Sequence, residues 1–303
     1  MLWKIRSQLN ARYLAWLCRD IFDTPQTRPG PLPVTVVSMV RHEDTAMYLL
    51  AIKSFLRHVP AGPVTVLDDG SLTRADHDVL RAHVGGLSII PIAGIDTGAC
   101  PRGGTWERLL HIVDRSAPRY LVQLDSDILT VAPVPEVLEA IAANRCFTLG
   151  SNPKFGIVTT AEAAAAVAGA DPSSMQIAAE RALPRLPPEI GGLYVRGSSG
   201  FAGFARGAVS RATAEAFSAA MEAELGRRWE EWGSEQITSN FLVANAPGGF
   251  VLPWPKYACY YARESLETSA LIHFIGTWRF KGGVFARLAR RVTRELLEPA
   301  KAA

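Results

Sequence analysis

The sequence contains few cysteines, and no two of them form a CxxC pair. The four cysteines are Cys18, Cys100, Cys146 and Cys259. Disulfide-rich secreted domains and zinc modules both depend on dense or paired cysteines. The spacing therefore excludes both classes, and we expect single buried thiols in a reducing compartment, the cytoplasm.

The sequence also lacks long apolar runs and a large excess of charge of one sign. No apolar stretch of the sequence approaches the roughly 20 residues that a membrane-spanning helix needs. The N-terminus lacks the compact apolar segment of a secretion signal. Lys and Arg together number 32 and Asp and Glu 29, so the net charge is only +3. This balance argues against a nucleic-acid partner.

Both ends of the chain are predicted to be amphipathic helices. Residues 1–22 repeat apolar side chains, Trp16 among them, at helical spacing, and the prolines of residues 24–33 indicate a linker. Residues 284–297 form a second, arginine-rich helix. Such helices indicate either peripheral contact with the inner face of an anionic membrane or ordinary helices at the domain surface.

Between these ends, short β-branched runs alternate with helical stretches. Predicted strands cover 34–40, 64–67, 88–92 and 120–124, and predicted helices cover 45–58, 74–83 and 105–116. Alternation of this kind implies βαβ units, so we expect an α/β fold with a mixed, mainly parallel sheet flanked by helices. We place the main domain at 29–283, after a helix and linker at 1–28 and before a basic helix at 284–303.

Polar clusters follow three of the predicted strands, at 41–44, 68–71 and 125–127. The carboxyl ends of parallel strands meet at one edge of a sheet, which is where open α/β sheets bind ligands. We therefore expect the three clusters to share that edge. Asp44 is expected to cap the helix at 45–58.

Two acids, Asp125 and Asp127, follow the predicted strand at 120–124. On extended backbone, side chains two residues apart point to the same side. Neighbouring carboxylates repel each other unless a cation lies between them. The pair therefore indicates a divalent-metal site for a phosphate-bearing substrate, with a polar turn capped by Asp125 as the alternative.

Three segments resemble the GT-A glycosyltransferases, the nucleotide-diphospho-sugar transferases. They are VTVLDDGSLT at 64–73, LVQLDSDILTVAPVPEVL at 121–138, with its DxD motif, and IHFIGTWRFKG at 272–282. The last is similar to the HxxGxxK element of glycosyltransferase family 8, the glycogenin and lipopolysaccharide galactosyltransferase group. The order of elements matches over roughly residues 33–282, although close similarity is confined to these three segments.

The resemblance implies a metal and diphosphate site at the third segment. His273 would join Asp125 and Asp127 around Mn or Mg, and an imidazole can complete such a site; a histidine bonded to backbone is the alternative. Gly276 would let the backbone approach the diphosphate. Arg279 stands where the family has lysine and would neutralise the diphosphate, with Lys281 as a substitute; both could instead belong to a solvated basic turn.

The resemblance also assigns nucleotide contacts to the first two segments. Asp69 would bond the ribose or the base, with Asp68 as a second candidate, although Asp-Gly is also a strong turn signal. Arg41 would stack on or bond the nucleotide, or lie at the surface. Ser126, inside the DxD motif, completes the predicted nucleotide-binding set.

Catalytic candidates come from the later part of the chain. Arg108 stands where the family has a basic residue that meets the sugar or the DxD acid. Glu235 and Gln236 stand where the family has Asp-Gln, near the anomeric carbon. Glu235 is otherwise a first-turn acid favoured by the helix dipole, and Arg108 the partner of an acid on its own helix. The small residues of 197–204 would either admit the sugar or allow tight strand packing.

The resemblance thus implies transfer of a sugar from a nucleotide-diphospho-sugar, with UDP as the expected nucleotide. The acceptor would be a saccharide or a lipid-linked glycan of polysaccharide biosynthesis, and the HxxG element favours retention of configuration. A sugar-nucleotidyltransferase is the rival enzyme, but residues 36–46 lack the glycine-rich phosphate loop that it needs. A module that binds nucleotide-sugars without turnover is the non-enzymatic alternative.

Overall fold

The computed structural model describes residues 2–152, 156–262 and 266–298, without the side chains of residues 2–8 and 11. The helices are α1 (Leu2–Leu17), α2 (Thr45–His58), α3 (Arg74–His83), α4 (Trp106–Arg115), α5 (Pro135–Ala142), α6 (Thr160–Ala166), α7 (Met175–Ala182), α8 (Arg211–Leu225), α9 (Ser234–Asn245) and α10 (Val284–Leu297). Short 3-10 helices include Arg19–Asp23 and Gly276–Phe280.

The strands are mostly short. They are β1 (Val34–Val40), β2 (Val64–Asp68), β3 (Leu87–Pro91), β4 (Tyr120–Leu124), β5 (Ile128–Thr130), β6 (Phe147–Gly150), β7 (Val158–Thr159), β8 (Leu193–Tyr194), β9 (Gly197–Phe204), β10 (Phe250–Val251), β11 (Tyr257–Cys259) and β12 (Leu271–His273). The strands and helices predicted between residues 34 and 116 and the strand at 120–124 are confirmed to within about one residue at each end, which is the usual accuracy of such boundaries. The helix predicted at residues 1–22 is shorter, because α1 ends at Leu17 and a 3-10 helix follows at Arg19–Asp23.

The chain forms two compact units. The first contains Met1–Ala93, Leu124–Pro135 and Pro255–Ala303. The second contains Gly94–Gln123 and Glu136–Trp254.

In the first unit, β2 lies between β1 and β3, and all three strands are parallel. Every residue of β2 is buried, as is nearly all of β1, because apolar runs of this kind belong to strands covered on both faces. Val40 at the end of β1 is paired with Asp68 at the end of β2. The polar residues that follow β1 and β2 therefore leave the sheet at the same edge.

A second, three-stranded sheet in the first unit brings distant segments together. β12 lies between β11, to which it is parallel, and β5, to which it is antiparallel. His273 is paired with Ile128 of β5 and with Cys259 of β11. This pairing places the end of the HxxG strand directly beside the DxD segment.

In the second unit, the strands follow the order β10, β6, β9 and β4. β6 is parallel to β10 and antiparallel to β9. All of β9, the small-residue segment, is buried. A Cβ atom on Gly203 would lie 2.3 Å from the ring of Phe147, and one on Gly197 would lie 2.6 Å from Oδ1 of Asn240. At these two positions the glycines permit tight packing.

The predicted fold class is confirmed: the chain is an α/β protein with a mixed, mainly parallel sheet flanked by helices. The four cysteines are free and buried, as predicted. Among the residues that the structure describes, no helix is both long and apolar enough to cross a membrane.

Candidate active site

The DxD acids and the HxxG histidine form one cluster in the first unit. One ligand atom each from Asp125, Asp127 and His273 lie within 4.8 Å of one another. Asp125 is half-buried, whereas Asp127 and His273 are buried. The backbone N–H of Phe274 donates to the carbonyl of Asp127 at 2.9 Å, which fixes the two segments against each other. The predicted convergence of these three residues is therefore present in the structure.

Two cationic groups meet the buried carboxylate of Asp127. Nη2 of Arg279 donates to its Oδ2 at 2.7 Å, and Nε2 of His273 lies 3.1 Å from its Oδ1. Burial alone would raise the pKa of Asp127, but the positive charges of His273 and Arg279 outweigh it and lower the pKa to about 2. Asp127 therefore stays ionised throughout the physiological range.

His273 shows the opposite shift for the same reason. Burial lowers the pKa of the imidazole, but the charge of Asp127 and the neighbouring thiol of Cys259 raise it to about 10. The imidazole thus carries a proton at neutral pH while it faces Asp127. A metal ion that binds here must displace that proton, so its affinity should increase with pH.

The donor set of this cluster fits a divalent cation. Two carboxylates and one imidazole suit Mn or Mg, since oxygen donors favour these hard cations and an imidazole suits the first-row metals. The ligand atoms are already close enough to share one ion. Without a cation, the buried carboxylate relies on Arg279 and His273 for its compensating charge.

The HxxGxxR turn carries the other basic candidates. Gly276 opens the 3-10 helix Gly276–Phe280 with a φ of +52°. Apart from its two chain neighbours, no atom of the described residues lies within 4 Å of the place that a Cβ would take. The backbone there is open to a ligand. Arg279 folds back between Asp127 and Met47, whose sulfur lies 3.3 Å from Nη1. Lys281 follows this helix and is exposed.

Both acids of the turn after β2 accept hydrogen bonds within that turn. Oδ1 of Asp68 accepts from the backbone of Gly70 at 2.8 Å, and its Oδ2 lies 3.0 Å from Nε2 of His77. Oδ1 of Asp69 accepts from the backbone N–H and the hydroxyl of Ser71, at 2.9 and 2.6 Å. Both carboxylates therefore act as turn formers here, and a nucleotide contact for either one remains a prediction.

The residues after β1 meet this turn at the sheet edge. The backbone N–H of His42 donates to Ser71 at 2.9 Å, so the clusters at 41–44 and 68–71 do share one edge. Arg41 is exposed and donates to Asp44 at 2.7 Å. The prediction that Asp44 caps α2 is wrong, because its side chain makes no capping bond and pairs with Arg41 instead. Ser126 is buried.

The catalytic candidates form a cluster in the second unit. Glu235 is buried, and its Oε2 accepts from Thr105 at 2.9 Å and from Ser199 at 3.2 Å. Nη2 of Arg108 lies 3.6 Å from Oε1 of Glu235. The side-chain oxygen of Gln236 accepts from the backbone of Ser199 at 3.4 Å. The three predicted residues are thus brought together, with Glu235 at the centre.

Sequence reasoning missed several members of these clusters. Thr105 reaches Glu235 from a left-handed conformation, φ +76°, after two glycines that also have positive φ. The Gly-Gly-Thr run was a signal for an unusual backbone that could have been noticed. Ser199 lies inside the small-residue segment already singled out. Cys259 gave no signal, because its place beside His273 depends on strand pairing.

No protein-family model matches the chain, and no curated protein matches it in sequence. The structure is similar to that of the galactosyltransferase LgtC in complex with donor and acceptor sugar analogues. That similarity has 13% sequence identity and a TM-score of 0.46, and it covers 89% of this chain and 97% of the other.

Two further similar structures come from eukaryotes. Mouse xyloside xylosyltransferase 1 is 12% identical, with a TM-score of 0.43, over 88% of this chain and 94% of its own. The mannosyltransferase Ktr4p from S. cerevisiae, in complex with GDP, is 12% identical, with a TM-score of 0.41, over 76% of this chain and 75% of its own.

Proposed function

We propose that this chain is a metal-dependent glycosyltransferase of GT-A type that uses a nucleotide-diphospho-sugar as donor. The observation that carries the proposal is the convergence of Asp125, Asp127 and His273 within 4.8 Å. These residues come from two distant sequence motifs, and the DxD and HxxG resemblance assigns all three to one metal. A chance cluster of acids would have no reason to include that histidine.

The three residues would hold Mn or Mg, which when bound acts as a Lewis acid on the leaving diphosphate. Arg279 adds a guanidinium beside the same carboxylate, where it can neutralise charge on a diphosphate. Gly276 leaves open space for a phosphate to approach its backbone. The donor is proposed to be a UDP-sugar, with Arg41, Asp68, Asp69, Ser126 and Lys281 as candidate nucleotide contacts.

Transfer breaks the bond between the anomeric carbon and the diphosphate oxygen and joins that carbon to an acceptor hydroxyl, whose proton passes to the leaving group. Glu235 is held by Thr105, Ser199 and Arg108, so it is a fixed negative charge suited to stabilising positive charge that develops on a sugar. Gln236 lies beside it on α9. We propose retention of configuration, with a saccharide or a lipid-linked glycan as acceptor; the latter requires access to a membrane.

A donor screen tests the proposal. Thermal unfolding with UDP-, GDP- and other nucleotide-sugars, with and without Mn, should give a stabilisation that needs both ligand and metal. The donors that stabilise the protein are then incubated with mixed glycan acceptors, and the released nucleoside diphosphate is measured. NMR of the product's anomeric proton decides between retention and inversion.

Other outcomes assign other functions. Metal-dependent donor binding with no nucleotide release across the whole panel would make the chain a binding module. Pyrophosphate released from a nucleoside triphosphate and a sugar phosphate would make it a nucleotidyltransferase. Absence of any metal-dependent stabilisation would remove the metal site and the proposal with it.

A further inference from the structure

α1 exposes an apolar stripe that its own unit does not cover. Leu9, Tyr13 and Trp16 are 60%, 43% and 51% exposed. At about 100° per residue they fall within an arc of about 60° on the helix. Leu14, Leu17 and Cys18, on the other side of the helix and at its end, are buried. The helix is therefore apolar on two sides, only one of which packs on the protein.

α10 presents a row of positive charge beside this stripe. Arg287, Arg290 and Arg294 are exposed and also lie within an arc of about 60°. The opposite side of the helix, with Phe285, Ala289 and Val292, is buried. None of the three arginines forms an ion pair with the residues that the structure describes, whereas Arg291 pairs with Glu295 at 3.6 Å.

The two helices meet at Trp16. The guanidinium of Arg290 lies 6.0 Å from the centre of the Trp16 ring, and that of Arg19 lies 5.1 Å from it. Tyr13 lies 6.2 Å from the same ring. The apolar stripe and the arginine row are therefore parts of one surface. We call Leu9, Tyr13, Trp16, Arg287, Arg290 and Arg294 the terminal-helix surface.

We propose that the terminal-helix surface binds the interface of an anionic lipid bilayer. Tryptophan and tyrosine favour the boundary between headgroups and acyl chains, and unpaired arginines attract anionic headgroups. A polyanion such as nucleic acid would account for the arginines but not for the exposed Leu9. The inference goes beyond the proposed glycosyltransferase activity, because it depends on none of the residues assigned to metal, nucleotide or catalysis.

Vesicle flotation with the full chain tests the proposal. The protein should float with phosphatidylcholine vesicles that contain about one third phosphatidylglycerol, and much less with phosphatidylcholine alone. The triple variant Arg287→Gln, Arg290→Gln, Arg294→Gln should bind roughly 100-fold more weakly, at about fivefold for each charge near the surface. The variant Tyr13→Ser, Trp16→Ser should lose the binding that persists at high salt.

The matched control is Arg74→Gln, Arg115→Gln, Arg227→Gln, which removes the same charge from exposed positions outside α1 and α10. It should float as the parent does. An equal loss in this control would reduce the effect to net charge and overturn the proposal, as would equal binding to neutral vesicles or no flotation at all. If the parent does not bind vesicles but forms a dimer that Trp16→Ser abolishes, the surface is a self-association site instead.

Two further measurements separate lipid binding from misfolding of a variant and from loss of enzyme activity. Brominated lipids should quench part of the tryptophan fluorescence of the parent in anionic vesicles, and Trp16→Phe should lose that part. Metal-dependent release of nucleotide from a water-soluble donor should be unchanged in the charge variants. Failure of flotation would thus leave the proposed enzyme intact, and failure of the enzyme would leave the lipid-binding surface intact.

Discussion

Replacing Asp127 by asparagine should lower the stability of the metal-free protein and abolish its stabilisation by Mn. Asp127 is buried and faces two cationic groups, Arg279 and His273. Its pKa is lowered from 3.8 to about 2, which corresponds to about 2 kcal/mol in favour of the folded state at pH 7.

An asparagine carries no charge and offers a donor to one of the two cations, so this contribution is lost. For a chain of this size, about 2 kcal/mol lowers the thermal midpoint by about 3 °C. The measurement is thermal unfolding in a chelator at pH 7. Mn at about 100 times its Kd should add about 2.7 kcal/mol to the parent and nothing to Asp127→Asn.

The two pKa shifts determine how the stability of the metal-free protein changes with pH. Because the pKa of Asp127 is lowered, its contribution is complete above about pH 4 and disappears as the pH falls towards 2. Because the pKa of His273 is raised, the protonated imidazole stabilises the folded state. This contribution to the free energy of unfolding is complete below about pH 6.5 and is lost as the pH rises to about 10. The control is Asp78→Asn, an exposed acid of α3. A metal-free Asp127→Asn protein as stable as the parent at pH 7 would refute the reasoning.

Further expectations concern three other positions. Arg279→Met should retain the Mn-dependent midpoint shift but lower turnover by roughly 100-fold, as the loss of one charge-stabilising donor does; steady-state kinetics would contradict this if turnover were unchanged. Lys53 is buried, and burial lowers its pKa to about 8, so the parent should gain stability relative to Lys53→Met as the pH rises from 8 to about 10; a flat difference in urea unfolding would count against it. Gly203→Ala should cost about 1 to 3 kcal/mol in denaturant unfolding, since a Cβ would meet Phe147 at 2.3 Å, and an unaffected midpoint would mean that β9 can yield.

The sequence was sufficient to predict the first half of the fold. β1 and β2 are mainly apolar runs that end at polar clusters, and local patterns of this kind identify such elements. The metal cluster was also predictable, because the DxD and HxxG motifs carry their own spacing. What the resemblance supplied was the link between Asp127 and His273, which no local pattern contains.

Other features depend on tertiary contacts that no local rule specifies. Asp44 follows a strand and precedes a helix, yet Arg41 takes its carboxylate away from the helix terminus. Asp68 and Asp69 make the hydrogen bonds of the turn that the Asp-Gly sequence predicts. The sequence alone therefore could not distinguish a turn-forming role from a nucleotide-binding role. The partners of Glu235 come from Thr105 and Ser199, far apart along the chain.

The antiparallel register between β5 and β12 has a consequence for how relatives of this chain should be sought. His273 stands opposite Ile128, one position past Asp127, so ladder alignment, and not loop length, sets the distance from imidazole to carboxylate. Insertions between the two motifs can grow freely, whereas a single-residue slip in either strand would turn the histidine to the other face. A search keyed to the number of intervening residues would overlook such proteins, while one keyed to the strand pairing would retain them.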